Sequence, residues 1–238
     1  MLTMNTHLSP HPAEQHKSHR ANWLRAAVLG VDDGIVSTSS LMLGVTAASG
    51  NSAATLTAGI AGLAAGALSM AVGEYISVSS QKDAELADIQ IEERSLATNP
   101  IGELAELATI YELRGLDPEL AKQVARQLQD HDGVKAHVRD ELGIDHAALA
   151  NPLQAALASS AAFSFGSAVP IVAALIATGQ TGVLAIIISS LAALAIAGAI
   201  SAYLGGGNRI WAAGRVFIGG GLAMAITAFI GHLIGSRL

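Results

Sequence analysis

The chain has 238 residues, 51% of them apolar and only 13% charged, and a mean hydropathy of +0.47. That composition excludes an ordinary soluble domain and points to a membrane protein. Only 4% aromatic residues against 25 Gly argues against the aromatic girdles of a β-barrel and for closely packed helices. The absence of Cys removes disulfides, thiolate metal sites and thiol nucleophiles together, and the net charge of −6 acquires meaning only from where the charges fall.

Residues 1–22 are polar, carry His7, His11, His16 and His19, and lack the apolar core of a signal peptide, so a disordered tail is expected, its histidines incidental or metal-chelating. From Trp23 to Gly50 the chain is apolar apart from Arg25 and the pair Asp32-Asp33, and from Ala53 to Ser80 apart from Glu74. Each stretch reaches the ~20 residues that a spanning helix needs.

Residues 81–150 hold fifteen of the nineteen acids and seven of the thirteen Lys and Arg, which predicts a water-exposed helical domain. Its start continues the second span without Gly or Pro, so one long helix is expected to leave the membrane. Breaks at Asn99-Pro100 and at Gly115–Pro118 then delimit a helix over 101–114 and one or two more over 118–142, with Asp117-Pro118 as N-cap and first helical position. After His146 there is no acid, and three further spans fit near 152–178, 181–204 and 211–235. The predicted fold is therefore all-α: a polytopic membrane protein with five transmembrane helices and an acidic helical domain inserted between helices 2 and 3. Its parts are the tail 1–22, spans 1 and 2 over 23–80, the acidic domain 81–150 and spans 3 to 5 over 151–238.

Basic residues set the expected orientation. With the N-terminus inside, twelve of the thirteen Lys and Arg fall on the cytoplasmic side, and only Arg237 lies outside.

Ionisable groups at mid-membrane cost ~2.5–3.5 kcal/mol each on insertion scales, so those in the first two spans are candidates for function. The purely structural alternatives are pairing of Asp32 or Asp33 with Arg25 and a Glu74 that sits in the interface. Counting ~1.5 Å per residue from Trp23 places Asp33 about 15 Å deep, and counting back from Gln81 places Met70 about 16 Å and Glu74 about 10 Å deep. Asp33, Ser37 and Ser40 share one helix face, as do Met70, Glu74 and Ser77, so a polar lane to mid-membrane is expected. Carboxylate and hydroxyl oxygens suit a divalent cation, and a thioether tilts the set toward Fe²⁺, or Mn²⁺ at lower affinity. A carboxylate in low dielectric can hold either a proton or a metal ion, which makes their exchange a natural transport step. In the acidic domain Glu85, Asp88 and Glu92, then Glu103 and Glu106, then His137 and Glu141 form faces on three successive helices. Each alone is an ordinary solvated face; three together suggest a shared cation site.

The segments GVDDGIVST at 30–38, GALSMAVGEYISVSSQKDAE at 66–85, ELAELATIYELRGL at 103–116, HVRDELGI at 137–144 and NPLQAALASSAAFSFGSAVP at 151–170 resemble the vacuolar iron transporter family, including its bacterial members, over about 23–238. The resemblance implies a homodimer of five-span subunits moving Fe²⁺ or Mn²⁺ out of the cytosol in exchange for protons, here across a bacterial inner membrane, with a cytoplasmic three-helix metal-binding domain inserted between helices 2 and 3. By motif it assigns Asp33 as the first-span transport carboxylate, Met70 as the second-span thioether ligand, and Glu92, Glu103, Glu106 and Glu141 as cytoplasmic metal-binding glutamates. Two positions depart from the family pattern: Ser95 stands where many members have a glutamate, with Glu93 beside it, and His137 stands where eukaryotic iron-loading members have Met.

No ExxH pair or Walker sequence occurs, so neither a di-iron domain nor ATP is expected. No resident cofactor is expected either; the partners are lipid, divalent ions and a second copy, with no nucleic acid. The competing readings are a mainly Mn²⁺ exporter of the same fold, a membrane-anchored metal sensor or buffer, and an intramembrane hydrolase. The last is argued against because His232, the one His in a span, has no nucleophile paired with it by motif.

Overall fold

The computed structural model describes residues 21–144 and 151–237, with side chains from Ala27. Residues 1–20, which hold the four tail histidines, lie outside it. Seven helices and no strand are present among the described residues: α1 (Ala21–Ser49), α2 (Ser52–Thr98), α3 (Pro100–Leu113), α4 (Pro118–Asp140), α5 (Pro152–Ile176), α6 (Gly179–Gly205) and α7 (Arg209–Gly235). Five of them, α1, α2, α5, α6 and α7, are long and apolar enough to cross a membrane. Their outer faces carry large apolar side chains such as Ile188, Ile226 and Phe229, as lipid-facing spans do.

The breaks fall where turn chemistry places them. Asn99 caps α3, its side chain accepting from the Gly102 amide, and Asp117 caps α4 by accepting from the Glu119 amide, each with proline at the first helical position. Gly206, at φ 80°, closes α6 in the left-handed region that glycine adopts without strain. As the sequence predicts, α2 is one helix of 47 residues that continues past its apolar half into the charged segment. α4 contains a kink at Asp132 (φ −160°, ψ 84°), whose carboxylate accepts from the Lys135 amide and restarts the helix. α1 begins two residues before the predicted span, taking in Ala21 and Asn22.

The chain forms two compact units, one holding residues up to Ala71 and from Leu157 on, the other Val72–Ala156. The seam thus falls inside α2, about ten residues before the expected domain edge at 81. In the first unit α1 touches each of the other spans. Gly34 meets the Phe163 backbone and Gly166 the Val31 backbone; Gly231 and Gly235 rest on the backbones of Gly44 and Ala48; Gly59 faces the Met42 side chain. α6 completes the set through its contacts with α1 and α7. The GxxxG pairs Gly62/Gly66 and Gly231/Gly235 are therefore used inside one chain, where close approach without a Cβ replaces the hydrophobic drive that lipid does not supply. A buried hydroxyl chain adds to this: Thr38 donates to Ser167 at 2.9 Å, and Ser167 donates to the Gly34 carbonyl at 3.2 Å. In the second unit, Leu107, Ala108 and Tyr111 of α3 pack on Ala121, Ala125 and Ala136 of α4.

Adding a Cβ at Gly34 would drive it into the Phe163 carbonyl, whereas Gly219 has open space around it. Gly34→Ala should therefore cost about 1–3 kcal/mol, while Gly219→Ala should be neutral or gain up to ~1 kcal/mol in helix propensity. Thermal unfolding of the purified chain in detergent compares the two; equal midpoints would show that the α1–α5 contact does not limit stability.

Candidate metal centres

Four ligating side chains converge in the Val72–Ala156 unit. Glu92 projects from the charged end of α2, Glu103 from the first turn of α3, and His137 and Glu141 from the end of α4, where the i, i+4 spacing puts both on one face. One ligand atom from each lies within 4.8 Å of the others. His137 Nδ1 stands 3.0 Å from Glu92 Oε1, 3.5 Å from Glu141 Oε2 and 3.8 Å from Glu103 Oε2. The His137 side chain is 0% exposed and those of Glu92 and Glu103 7% and 12%, while Glu141 at 28% leaves the group open on one side.

These atoms are close without hydrogen bonding. Neither nitrogen of His137 nor Glu92 Oε1 has a hydrogen-bond partner among the described residues, although all three are buried. Burial and the charges of Glu141, Glu103 and Glu106 push the Glu92 carboxyl up from its ordinary range, with His137 acting in the opposite sense. Buried polar groups without partners are costly. Lone pairs aimed at a common point are the arrangement that a cation, proton or metal, turns from repulsive to attractive.

Of the residues expected here, the structure gathers Glu92, Glu103, His137 and Glu141 and leaves three outside the group. Glu106 is exposed, a turn further along α3, and contributes charge. Glu85 and Asp88 lie seven and four residues before Glu92, roughly 10 and 6 Å up the α2 axis. Glu85 accepts instead from Gln81 at 2.8 Å, and Asp88 is exposed.

The sequence did not single out Asp140. Its side chain, 8% exposed, takes hydrogen bonds from Tyr111, Arg114 (3.0 Å) and Arg139 (2.7 Å), and Arg114 also reaches the Asp140 carbonyl at 2.8 Å. The Arg139 hydrogen bond, helped by Tyr111 and Arg114, holds the Asp140 carboxyl well below the usual range. Thus committed, Asp140 ties the end of α4 to α3 and fixes the helix turn that presents His137 and Glu141. Arg139 is its neighbour in sequence, but Arg114 and Tyr111 lie 26 and 29 residues away, beyond any local spacing signal.

The membrane unit holds a second constellation. Asp33, Ser37 and Thr38 of α1 and Ser69 and Met70 of α2 line one cleft of about 220 Å³ against Phe163 of α5. Ser37 donates to Asp33 Oδ1 at 2.8 Å, and Asp33 itself is exposed. Asp32, about 100° further round α1, is not part of the lining; its Oδ1 is buried without a hydrogen-bond partner among the described residues. The Arg25 side chain lies outside the described residues. Glu74, four residues beyond Met70, falls within the other unit.

The sequence profile of the VIT family matches residues 24–232. The chain belongs to the VIT family. Among its VIT relatives, the vacuolar iron transporter of Acanthamoeba castellanii is 48% identical over 223 residues, covering 92% of this chain and 82% of that protein. Vacuolar iron transporter homolog 2 of Arabidopsis thaliana is 35% identical over 219 residues, covering 92% and 87%. VIT-like transporter 1b of Glycine max is 34% identical over 229 residues, covering 94% and 83%. VIT membership, with five spans, makes this an integral membrane protein of a transporter family rather than an enzyme.

Removal of one gathered ligand should matter and removal of an ungathered one should not. Glu103→Gln should weaken Mn²⁺ or Fe²⁺ binding by the purified chain at least ~10-fold, whereas Glu85→Gln and Asp88→Asn should leave it unchanged. Calorimetric titration of the three variants decides between this four-ligand group and a diffuse acidic surface.

Proposed function

We propose that this VIT protein is a proton-coupled transporter that moves Fe²⁺ or Mn²⁺ out of the cytosol and works as a homodimer. The observation that carries the reading is the shared cleft: a carboxylate, three hydroxyls and a thioether face one another within spans, where a lone acid would cost ~2.5–3.5 kcal/mol. Oxygen donors with one soft sulfur suit Fe²⁺ and Mn²⁺ better than Mg²⁺ or Ca²⁺. Asp33 takes the metal as a carboxylate and a proton once it has left, so one group alternates between two cargoes. Ser37, already donating to Asp33, orients it. The names of the relatives, which are vacuolar iron transporters and a VIT-like transporter, support iron as cargo.

Glu92, Glu103, His137 and Glu141 collect metal in the Val72–Ala156 unit, which together with the N-terminus faces the cytosol; the distribution of Lys and Arg supports that orientation. The membrane is the bacterial inner membrane on the sequence reading above. Exposure of Asp33 and of the small residues Ala61, Ala64 and Ala65 on α2 supports a second copy packed there, which would shield the carboxylate from lipid.

One observation favours a second reading, a membrane-anchored buffer: the four-ligand group is complete within its own unit. Flux separates the two. In proteoliposomes with a pH dye, metal uptake should be accompanied by opposite proton movement, and Asp33→Asn should reduce both to background while metal binding by the Val72–Ala156 unit persists. Wild-type flux in Asp33→Asn, or metal movement without protons in the unmodified protein, would overturn the exchange mechanism.

A further inference from the structure

A second cavity in the membrane unit is unrelated to the metal path. It is an open groove that runs along α1 from Ala27 to Ile35, α5 from Phe165 to Val169 and α6 from Ala193 to Leu204, with a volume of about 410 Å³. That volume would take roughly a dozen waters at ~30 Å³ each, yet its lining is wholly apolar side chains and backbone, which offer water no partners. Along α6 it extends eleven residues, or about 16 Å at ~1.5 Å per residue. This is about half of the ~30 Å hydrocarbon core, the depth of one leaflet.

Its α6 end is marked by charge. Tyr203 shares the helix face of Ile196 and Ile200, which line the groove, at i+7 and i+3. Across the Gly206 turn, the guanidinium of Arg209 stacks 4.3 Å above the Tyr203 ring. Both side chains are exposed, and the chain has no acid after Asp145, so no carboxylate from the C-terminal spans competes for Arg209. An apolar slot one leaflet deep that ends beside an exposed Arg on an aromatic ring matches a phospholipid in both of its parts. The acyl chain fits the slot, and the phosphate accepts from the guanidinium fork.

We propose that the groove between α1, α5 and α6 holds one acyl chain of an anionic phospholipid whose phosphate is bound by Arg209. The two parts separate by mutation. Arg209 supplies preference for the anionic headgroup, and Ala197, inside the groove, controls whether a chain can enter at all.

The test is native mass spectrometry of the full chain in detergent, with phosphatidylglycerol or phosphatidylcholine of identical acyl chains added. The unmodified protein should retain one lipid per subunit, with phosphatidylglycerol favoured about five-fold, the ratio that ~1 kcal/mol per basic residue gives. Arg209→Gln should abolish the preference but keep the occupancy; Ala197→Phe should abolish retention of both lipids with metal binding intact. If Ala197→Phe does not fold, Ala193→Leu fills the other end of the slot and should lower retention of both. Wild-type retention in the filled variant, or no preference for phosphatidylglycerol in the unmodified protein, would overturn the proposal.

Discussion

A wholly buried imidazole facing three carboxylates with neither nitrogen hydrogen-bonded is the constraint on which the Val72–Ala156 unit depends. Oxygen and nitrogen lone pairs held this close repel one another, and burial raises the cost of each charge. The helices that impose the arrangement are placed by independent features. The uninterrupted run from the second span into the charged segment carries Glu92. Asn99-Pro100 turns the chain so that Glu103 sits in a first helical turn, and the clamp of Tyr111, Arg114 and Arg139 on Asp140 anchors the turn bearing His137 and Glu141. The caps and the ion pairs on Asp140 thus hold four potential ligands together, the arrangement through which we propose that a cation is received.

The membrane unit solves a different problem. With lipid outside, burial of apolar surface gives helices little reason to associate, so contact depends on backbone approach and on hydroxyls. α1 occupies the centre because its glycines, and those facing it on α5 and α7, permit that approach. This placement turns one face of α1, with Asp33 and Ser37, toward Met70, and leaves another along the apolar groove. One helix thus serves the polar cleft and the lipid-facing slot from different sides.

Much of this was legible in the sequence, for identifiable reasons. Spans, caps and the continuous second helix depend on local chemistry: runs of apolar residues, Asn-Pro and Asp-Pro pairs, and the absence of Gly and Pro where α2 crosses from apolar to charged. Depth counting brought Asp33 and Met70 to one level because rise per residue is nearly constant in a helix. Axial position also separates Glu85 and Asp88 from Glu92, but a shared face says nothing about which turn meets the neighbouring helices. The Asp132 kink and the Asp140 clamp were illegible, since the first requires a side-chain cap within a helical pattern and the second joins residues nearly thirty positions apart. His137 stood out both as the i, i+4 partner of Glu141 and as a departure from a family pattern; in the structure it is the one non-carboxylate donor in the group.

The most direct test of the account is therefore spectroscopic. Mn²⁺ bound to the purified full chain should show electron–nuclear hyperfine coupling to one directly coordinated imidazole nitrogen, and His137→Asn should remove that coupling and weaken binding. Mn²⁺ held tightly by oxygen ligands alone, or a nitrogen signal that survives His137→Asn, would contradict the claim that the buried imidazole and its three carboxylates are a metal site.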